Sequence, residues 1–290
     1  MNAVQRHHLR IAWWMILPCT IGLVCFRLFP ILASFLISFT DWNIIGVPEF
    51  VGLNNYIQAL TSPLGVKVLL NTFQYALVYV PLATALGFSL ALLVDTGIKG
   101  VVFFRTLYFL PFITATVAIA ISWKWMFATR FGILNAFLSW LHLSDPIAWL
   151  SNPNVALISV AVVMVWKDTG FYMVLFLAGL QTIDRTLIEA AKLDGANRFA
   201  IVRDIILPQL APMTFFVLLI AMINSAKTFE ATISLTNGGP NNASTTLGYA
   251  IYQNAFVHFD MGLASAQSWV LCLIVGGISL LHYRLQQRKT

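Results

Sequence analysis

A chain of 290 residues that is 59% apolar and only 10% charged, with mean hydropathy +0.81, lacks the charged surface of a soluble domain, in which roughly 25% of residues are charged. This composition excludes a soluble globular domain and identifies an integral membrane protein. Seventeen basic against 11 acidic residues give a net charge of +6 and a pI near 9.4, a balance set by membrane topology rather than by nucleic-acid binding.

Each helical crossing of a hydrocarbon core about 30 Å thick needs about 20 mostly apolar residues. The basic start, residues 1–10, precedes an apolar run at 11–38 that outlasts a signal-peptide core and shows no small-x-small cleavage site, so a retained anchor is predicted. Arg27 inside that run would cost about 3 kcal/mol or more at mid-bilayer. It must snorkel, face a partner subunit or lie near the outer interface, and Pro30 supports an early span end. Further spans are predicted at 68–94, 107–127, 155–180, 213–231 and 262–283. Pro18, Pro30 and Pro81 predict kinks or helix ends. Cys19, Cys25 and Cys272 lie within spans without metal spacing and are expected to be small buried apolar residues. The expected fold is all-α, a single polytopic membrane domain over residues 1–290 with six transmembrane helices.

With six spans threaded, Arg6, Arg10, Lys99, Arg105, Arg185, Lys192, Arg198, Arg203, Arg284, Arg288 and Lys289 fall on one side. The excess of Lys and Arg marks that side as the cytoplasm. Both termini are then inside, and segments 41–67, 128–154 and 232–261 face out. No G-x-x-x-x-G-K-[ST], G-x-S-x-G, H-E-x-x-H or C-x-x-C occurs, and the five histidines are scattered at span ends and loops. The sequence therefore predicts no catalysis and no metal site. A self-sufficient carrier would show inverted repeats, and none is evident.

The longest cytoplasmic loop, 181–208, contains the polar stretch EAAKLDGANRFAIVRDIILP at 189–208. Asp184 can cap a first helix, Leu187, Ile188, Ala191 and Leu193 form an apolar stripe, and Asp194-Gly195 supplies a left-handed stop. Phe199, Val202, Ile205 and Ile206 then recur at helical spacing up to Pro208. On these grounds the loop is either an interfacial hairpin resting on lipid headgroups or a docking knob for another protein.

Glu189, Ala190, Ala191, Gly195, Ile205, Leu207 and Pro208 spell E-A-A, three residues, G, nine residues, I-x-L-P. This resembles the signature loop of binding-protein-dependent ABC importer permeases. Further stretches resemble the carbohydrate-uptake branch: FVGLNNY at 50–56, Asn71-Thr72, FRTL at 104–107 with Leu110-Pro111, FGILN at 131–135, AGLQ at 178–181 and LTNGGP at 235–240. The T-x-G-G-P element is similar to that of one member of the branch's heterodimeric pair. The resemblance implies a type I ABC importer permease fold in the inner membrane, a second permease subunit, two ATPase subunits and an extracytoplasmic solute-binding protein. ATP and magnesium would sit on the ATPases, leaving no cofactor in this chain. It also implies that Glu189, Ala190, Ala191, Asp194, Gly195, Ala196 and Pro208 form a coupling helix that enters a cleft on an ATPase.

Polar side chains inside spans need protein or water partners, so clusters of them suggest a solute path. Lys167 and Asp168 are adjacent in the fourth span, Asn224, Lys227 and Glu230 follow at three-residue steps and share one helical face of the fifth, and Gln267 opens the sixth. Lys227 and Glu230 can pair, either as part of the path or as a structural ion pair near the outer end. Trp166 and Tyr172 offer either a stacking surface for a sugar ring or belt and packing residues. The branch carries sugars, polyols and glycerol-phosphate compounds on the same motifs, so the solute itself is not chosen.

Overall fold

The computed structural model describes residues 3–95, 100–143 and 145–287. Lys99, Arg288 and Lys289, which entered the orientation argument, lie outside them. In chain order the elements are α1 (Ala3–Leu23), a π-helical turn (Val24–Leu28), α2 (Phe29–Ile37), strands β1 (Thr40–Asp41) and β2 (Glu49–Phe50), α3 (Asn54–Thr61), α4 (Pro63–Asp95), α5 (Val101–Ile113), α6 (Thr116–Met126), α7 (Ile133–Trp140) and α8 (Ala156–Leu180). The 181–208 loop and the C-terminal third of the chain contain α9 (Arg185–Leu193), α10 (Arg198–Ile201), a second π turn (Val202–Ile206), α11 (Leu207–Gln209), α12 (Ala211–Ala226), α13 (Glu230–Leu235), α14 (Leu247–Phe256) and α15 (Met261–Gln287).

Among the described residues, four helices are long and apolar enough to cross a membrane, and two bent helix pairs pass the same test together, which makes six if each pair is one span. The third expected span, 107–127, is not one rod. It starts earlier and breaks into α5 and α6, which meet at 97°. Pro111 removes a helical donor, and Thr114 and Ala115 then turn extended, with ψ of 141° and 130°. The fifth, expected at 213–231, ends at Ala226, and its helix bends by 75° from the segment before it.

The prolines of the first span do not end it. Pro18 lies inside α1, and the helix runs through Pro30 to Ile37. Both π turns end two residues before a proline, Pro30 and Pro208. Each proline lacks the N–H that would serve the carbonyl four residues back, and the helix widens there rather than stopping. Arg27 sits in the first of these widened turns and is exposed on its own chain. Cys19, Cys25 and Cys272, expected to be buried, are exposed.

The chain sorts into two compact units. The first comprises Met1–Ser62 and Ile251–Val270. Here β1 and β2 pair antiparallel, with Thr40 opposite Phe50 and Asp41 opposite Glu49. Gly262 sits against the Thr40 carbonyl so closely that a Cβ would lie 2.0 Å from its oxygen. Phe35 meets Trp269 edge-on at 5.0 Å.

The second unit comprises Pro63–Ala250 and Leu271–Thr290. Its centre is α8, packed chiefly on α4 and also on α5. An apolar cluster fills the contact, including Tyr79, Ala83 and Ala91 from α4 and Val160, Ala161, Met173 and Phe176 from α8. Lipid tails supply no hydrophobic drive between helices, so such packing depends on close approach at small residues. A Cβ on Gly87 would meet Tyr172 Cβ at 2.6 Å, and one on Gly170 would meet the Tyr108 carbonyl oxygen at 1.9 Å.

Three asparagines within the quoted motifs do the same job. Each uses both amide hydrogens to fasten two backbone carbonyls: Asn55 binds those of Ser38 and Thr40, Asn71 those of Asn242 and Thr245, and Asn135 those of Thr129 and Ile147. All three are buried. Irregular backbone is thereby satisfied without helix or sheet.

Candidate functional site

Two places hold most of the residues singled out by sequence. The first is the loop. The Asp184 carboxylate accepts from the Thr186 N–H at 2.9 Å and caps α9. That backbone N–H first, then the Thr186 hydroxyl, holds the Asp184 carboxyl below the usual carboxylate range. The helix closes in a Schellman motif: the Ala196 N–H reaches the Ala191 carbonyl at 2.9 Å and the Gly195 N–H that of Lys192 at 3.1 Å. Gly195 holds φ +84°, and Asn197 then caps α10 by accepting from the Ala200 N–H at 2.8 Å.

The loop is not an unpartnered hairpin. Ile188, Ala191, Ala196, Ile201, Val202 and Ile206 pack into the apolar cluster of the second unit. Leu193, expected on that stripe, is 89% exposed, and Phe199 is 72% exposed. Leu193 lies at the turn, where the Gly195 reversal carries its side chain off the packed face, while Arg203 covers one face of Phe199 at 5.8 Å. Ala190, Asp194 and Gly195 are exposed as well, so the tip is small and bare. On the inner side, Glu189 and Lys192 line a groove of about 720 Å³ with Asp95, Arg185 and Arg198 over a floor that includes Leu180 and Ile183. Arg185 reaches Asp95 at the end of α4, 3.7 Å away.

The second place is a polar network between α4, α8 and α12. The Tyr79 hydroxyl donates to Asp168 Oδ2 at 2.6 Å and lies 3.0 Å from the Tyr172 hydroxyl, which accepts from Asn224 Nδ2 at 3.3 Å. Lys167 Nζ lies 3.6 Å from Asp168 Oδ1 and donates to the Phe112 carbonyl at 3.1 Å. Tyr75 stacks on Tyr79 at 5.5 Å and its hydroxyl accepts from Thr228. Lys167, Asp168, Tyr172 and the two α4 tyrosines are buried, and Asn224 is exposed.

The structure thus brings together Lys167, Asp168, Tyr172 and Asn224, which the sequence offered in separate groups, and adds Tyr75 and Tyr79, which sequence reasoning missed. Their signal was the four-residue spacing of Asn71, Tyr75 and Tyr79, which puts all three on one face of α4. Lys227 and Glu230 do not continue the face of Asn224. Lys227 caps the end of α12 and Glu230 opens α13, so the single helix that would align them stops between them. No ion pair joins them among the described residues. Trp166 is half-exposed and meets Trp123 edge-on at 5.5 Å, outside the network. Gln267 belongs to the first unit, where it is buried and accepts from Asn254 Nδ2 at 2.8 Å.

Beyond α13 the LTNGGP segment folds into a tight loop, with Asn237, Gly238, Asn241 and Asn242 at positive φ. It is strapped to α4 by Asn71, by Lys67 on the Asn241 carbonyl and by the Leu247 N–H on the Thr72 hydroxyl. Replacing Asn71 by Ala removes both bonds: the buried bond to the Thr245 carbonyl is lost at about 1–3 kcal/mol, while the Asn242 carbonyl keeps only the Thr245 N–H at 3.4 Å. The purified protein should melt at a clearly lower temperature, and an unchanged melting curve would remove this strap from the account.

Comparison with known proteins places these features in context. A family model described as "Binding-protein-dependent transport system inner membrane component" matches residues 81–288. The chain is 37% identical to "Probable ABC transporter permease protein YesP" of Bacillus subtilis (strain 168) over 274 residues, covering 92% of this chain and 87% of that one. It is 32% identical to "Trehalose/maltose transport system permease protein MalF" of Thermococcus litoralis over 277 residues, covering 95% and 93%. Its fold matches a chain of a bacterial ABC transporter involved in the import of the acidic polysaccharide alginate, with TM-score 0.85, 22% identity and 100% of both chains covered.

Proposed function

We propose, from the premise that this chain belongs to the family of binding-protein-dependent transport system inner membrane components, that it is one of two permease subunits of an ATP-driven sugar importer. Two separate ATPase subunits lie beneath it and an extracytoplasmic binding protein above. ATP and magnesium are held by the ATPases, and this chain supplies no catalytic group. The full-length similarity to a trehalose/maltose permease supports a sugar or sugar-like solute.

The observation that carries the reading is the loop tip. A capped helix closed by a Schellman turn is anchored by one face to the apolar cluster of the second unit and presents Ala190 and Leu193 bare on the other. A rigid, small-tipped knob fits a cleft on a partner protein, and Glu189 stands beside it to make a polar contact. Affinity purification of this chain from its native membrane should bring the ATPase along. Recovery of the chain with its second permease but never with an ATPase would overturn the reading.

Both termini and the 181–208 loop are cytoplasmic in this proposal. A cysteine placed at Asn242 should react with an impermeant maleimide in intact cells, and one at Thr290, outside the described residues, should react only after permeabilisation. The reverse labelling pattern would reject the orientation.

The solute path runs past the exposed polar side chains Asn224, Lys227 and Glu230, with Trp166 as a stacking surface. Lys167, Asp168 and Tyr172 support it from within, and Gln267 braces the first unit. An Asn or Lys exposed on its own chain within or beside a span cannot face lipid cheaply and turns instead to an aqueous path or a partner.

A further inference from the structure

The hydrogen-bond chain behind Asn224 has a direction. A carboxylate only accepts, and the Tyr79 hydroxyl donates its one proton to Asp168. The 3.0 Å contact between the two phenols must then be made by the Tyr172 proton, pointing at Tyr79. With that proton used, the Tyr172 oxygen is left to accept, and it does so from the Asn224 amide nitrogen. The Lys167 ammonium beside Asp168 Oδ1, itself held by the Phe112 carbonyl and lying over the Phe112 ring at 5.3 Å, is the local counter-charge. Every proton between Asn224 and Asp168 therefore points inward.

We infer that this buried relay sets the specificity of the path: by pinning the Asn224 amide nitrogen inward, it presents the carbonyl oxygen Oδ1 outward as a hydrogen-bond acceptor. This rests on the proposal that Asn224 borders the solute path. Oδ1 has no partner among the described residues. An acceptor selects hydroxyl donors and repels phosphate or carboxylate oxygens, which can only accept. Lys227 and Glu230, both exposed beyond the helix end, contribute one charge of each sign and favour neither kind of solute. The path is accordingly built for a neutral polyhydroxylated solute, with Asp168 and Tyr79 as positioning residues that never touch it.

The test uses the full complex of both permeases and both ATPases in nanodiscs, trapped with ADP and vanadate, with radiolabelled maltose, trehalose and sn-glycerol 3-phosphate as probes. The wild-type complex should hold at least one of the sugars and exclude the phosphate. Tyr79→Phe keeps the stacked ring but breaks the relay, and Asp168→Asn supplies a donor at its inner end, so that the chain can reverse. Each should lower the ratio of sugar to phosphate retained about five- to tenfold, the size of one hydrogen bond of about 1 kcal/mol. A role in folding alone would lower the yield of complex without moving that ratio. If Asn224→Ala weakens sugar retention but both relay variants keep the wild-type ratio, the relay is wrong while the path stands. If Asn224→Ala changes retention of no probe, the path reading itself fails. A wild-type complex that holds the phosphate, or holds neither sugar, overturns the inference.

Discussion

Gly195→Val should cut solute uptake steeply in proteoliposomes containing the assembled importer, with membrane insertion of this chain unchanged. Gly195 sits at φ +84° with no other atom within 4 Å of where a Cβ would stand, so the cost is backbone strain and not a clash. A left-handed residue with a β-carbon costs about 1–2 kcal/mol, which lowers the population of the closed turn roughly 5- to 30-fold. Opening the turn breaks the Ala196 and Gly195 hydrogen bonds that fix the angle between α9 and α10, and the knob is misaimed. The ATPases should dissociate on purification or hydrolyse ATP without transport. Asn tolerates the left-handed region, so Gly195→Asn should recover much of the activity. Equal loss in the Val and Asn variants would show that the turn conformation is not what matters. Glu189→Ala should give a smaller loss, because the knob keeps its shape. Wild-type uptake in both Gly195→Val and Glu189→Ala would reduce the loop to a structural hairpin.

Gly170→Ala should be among the most damaging single-methyl changes in the chain. The new carbon would lie 1.9 Å from the Tyr108 carbonyl oxygen and 3.0 Å from Phe109 Cα. Both are backbone atoms, so no rotamer change relieves the contact and α5 must move away from α8. Overpacking of this kind costs about 1–3 kcal/mol and occasionally more. Moving α8 also disturbs Lys167 and Asp168, three and two residues away, so uptake should fall together with the melting temperature of the detergent-solubilised protein. Gly276→Ala and Gly277→Ala are the controls. Nothing lies within 4 Å of either added carbon, and helix propensity favours alanine by about 0.5–1 kcal/mol. A Gly170→Ala protein that melts with the wild type would show that α5 and α8 are not in backbone contact.

The sequence by itself determined the membrane class, the number of crossings and the family, because each depends on chemistry local in the chain. An apolar run of about 20 residues has no other stable environment, and the loop 181–208 carries its cap, its left-handed stop and its second cap within 14 residues. Asp184, Gly195 and Asn197 act on backbone no more than three residues away, so their roles could be read before any fold was known.

What the tertiary structure alone decided is how the spans are broken and which polar residues meet. Helical periodicity put Asn224, Lys227 and Glu230 on one face, but a helix end is settled by competing partners. The Thr228 carbonyl is taken by the Thr246 hydroxyl, eighteen residues on, and the chain leaves the helix before Glu230. The relay from Asn224 to Asp168 joins residues more than 50 positions apart through Tyr79, a further 89 positions from Asp168. In α4 alone, Tyr79 is one more aromatic residue in an apolar span. Only the close approach of α4 and α8 at Gly87 brings its hydroxyl to a carboxylate, because hydrogen bonding depends on distances of about 3 Å that no spacing along a chain encodes.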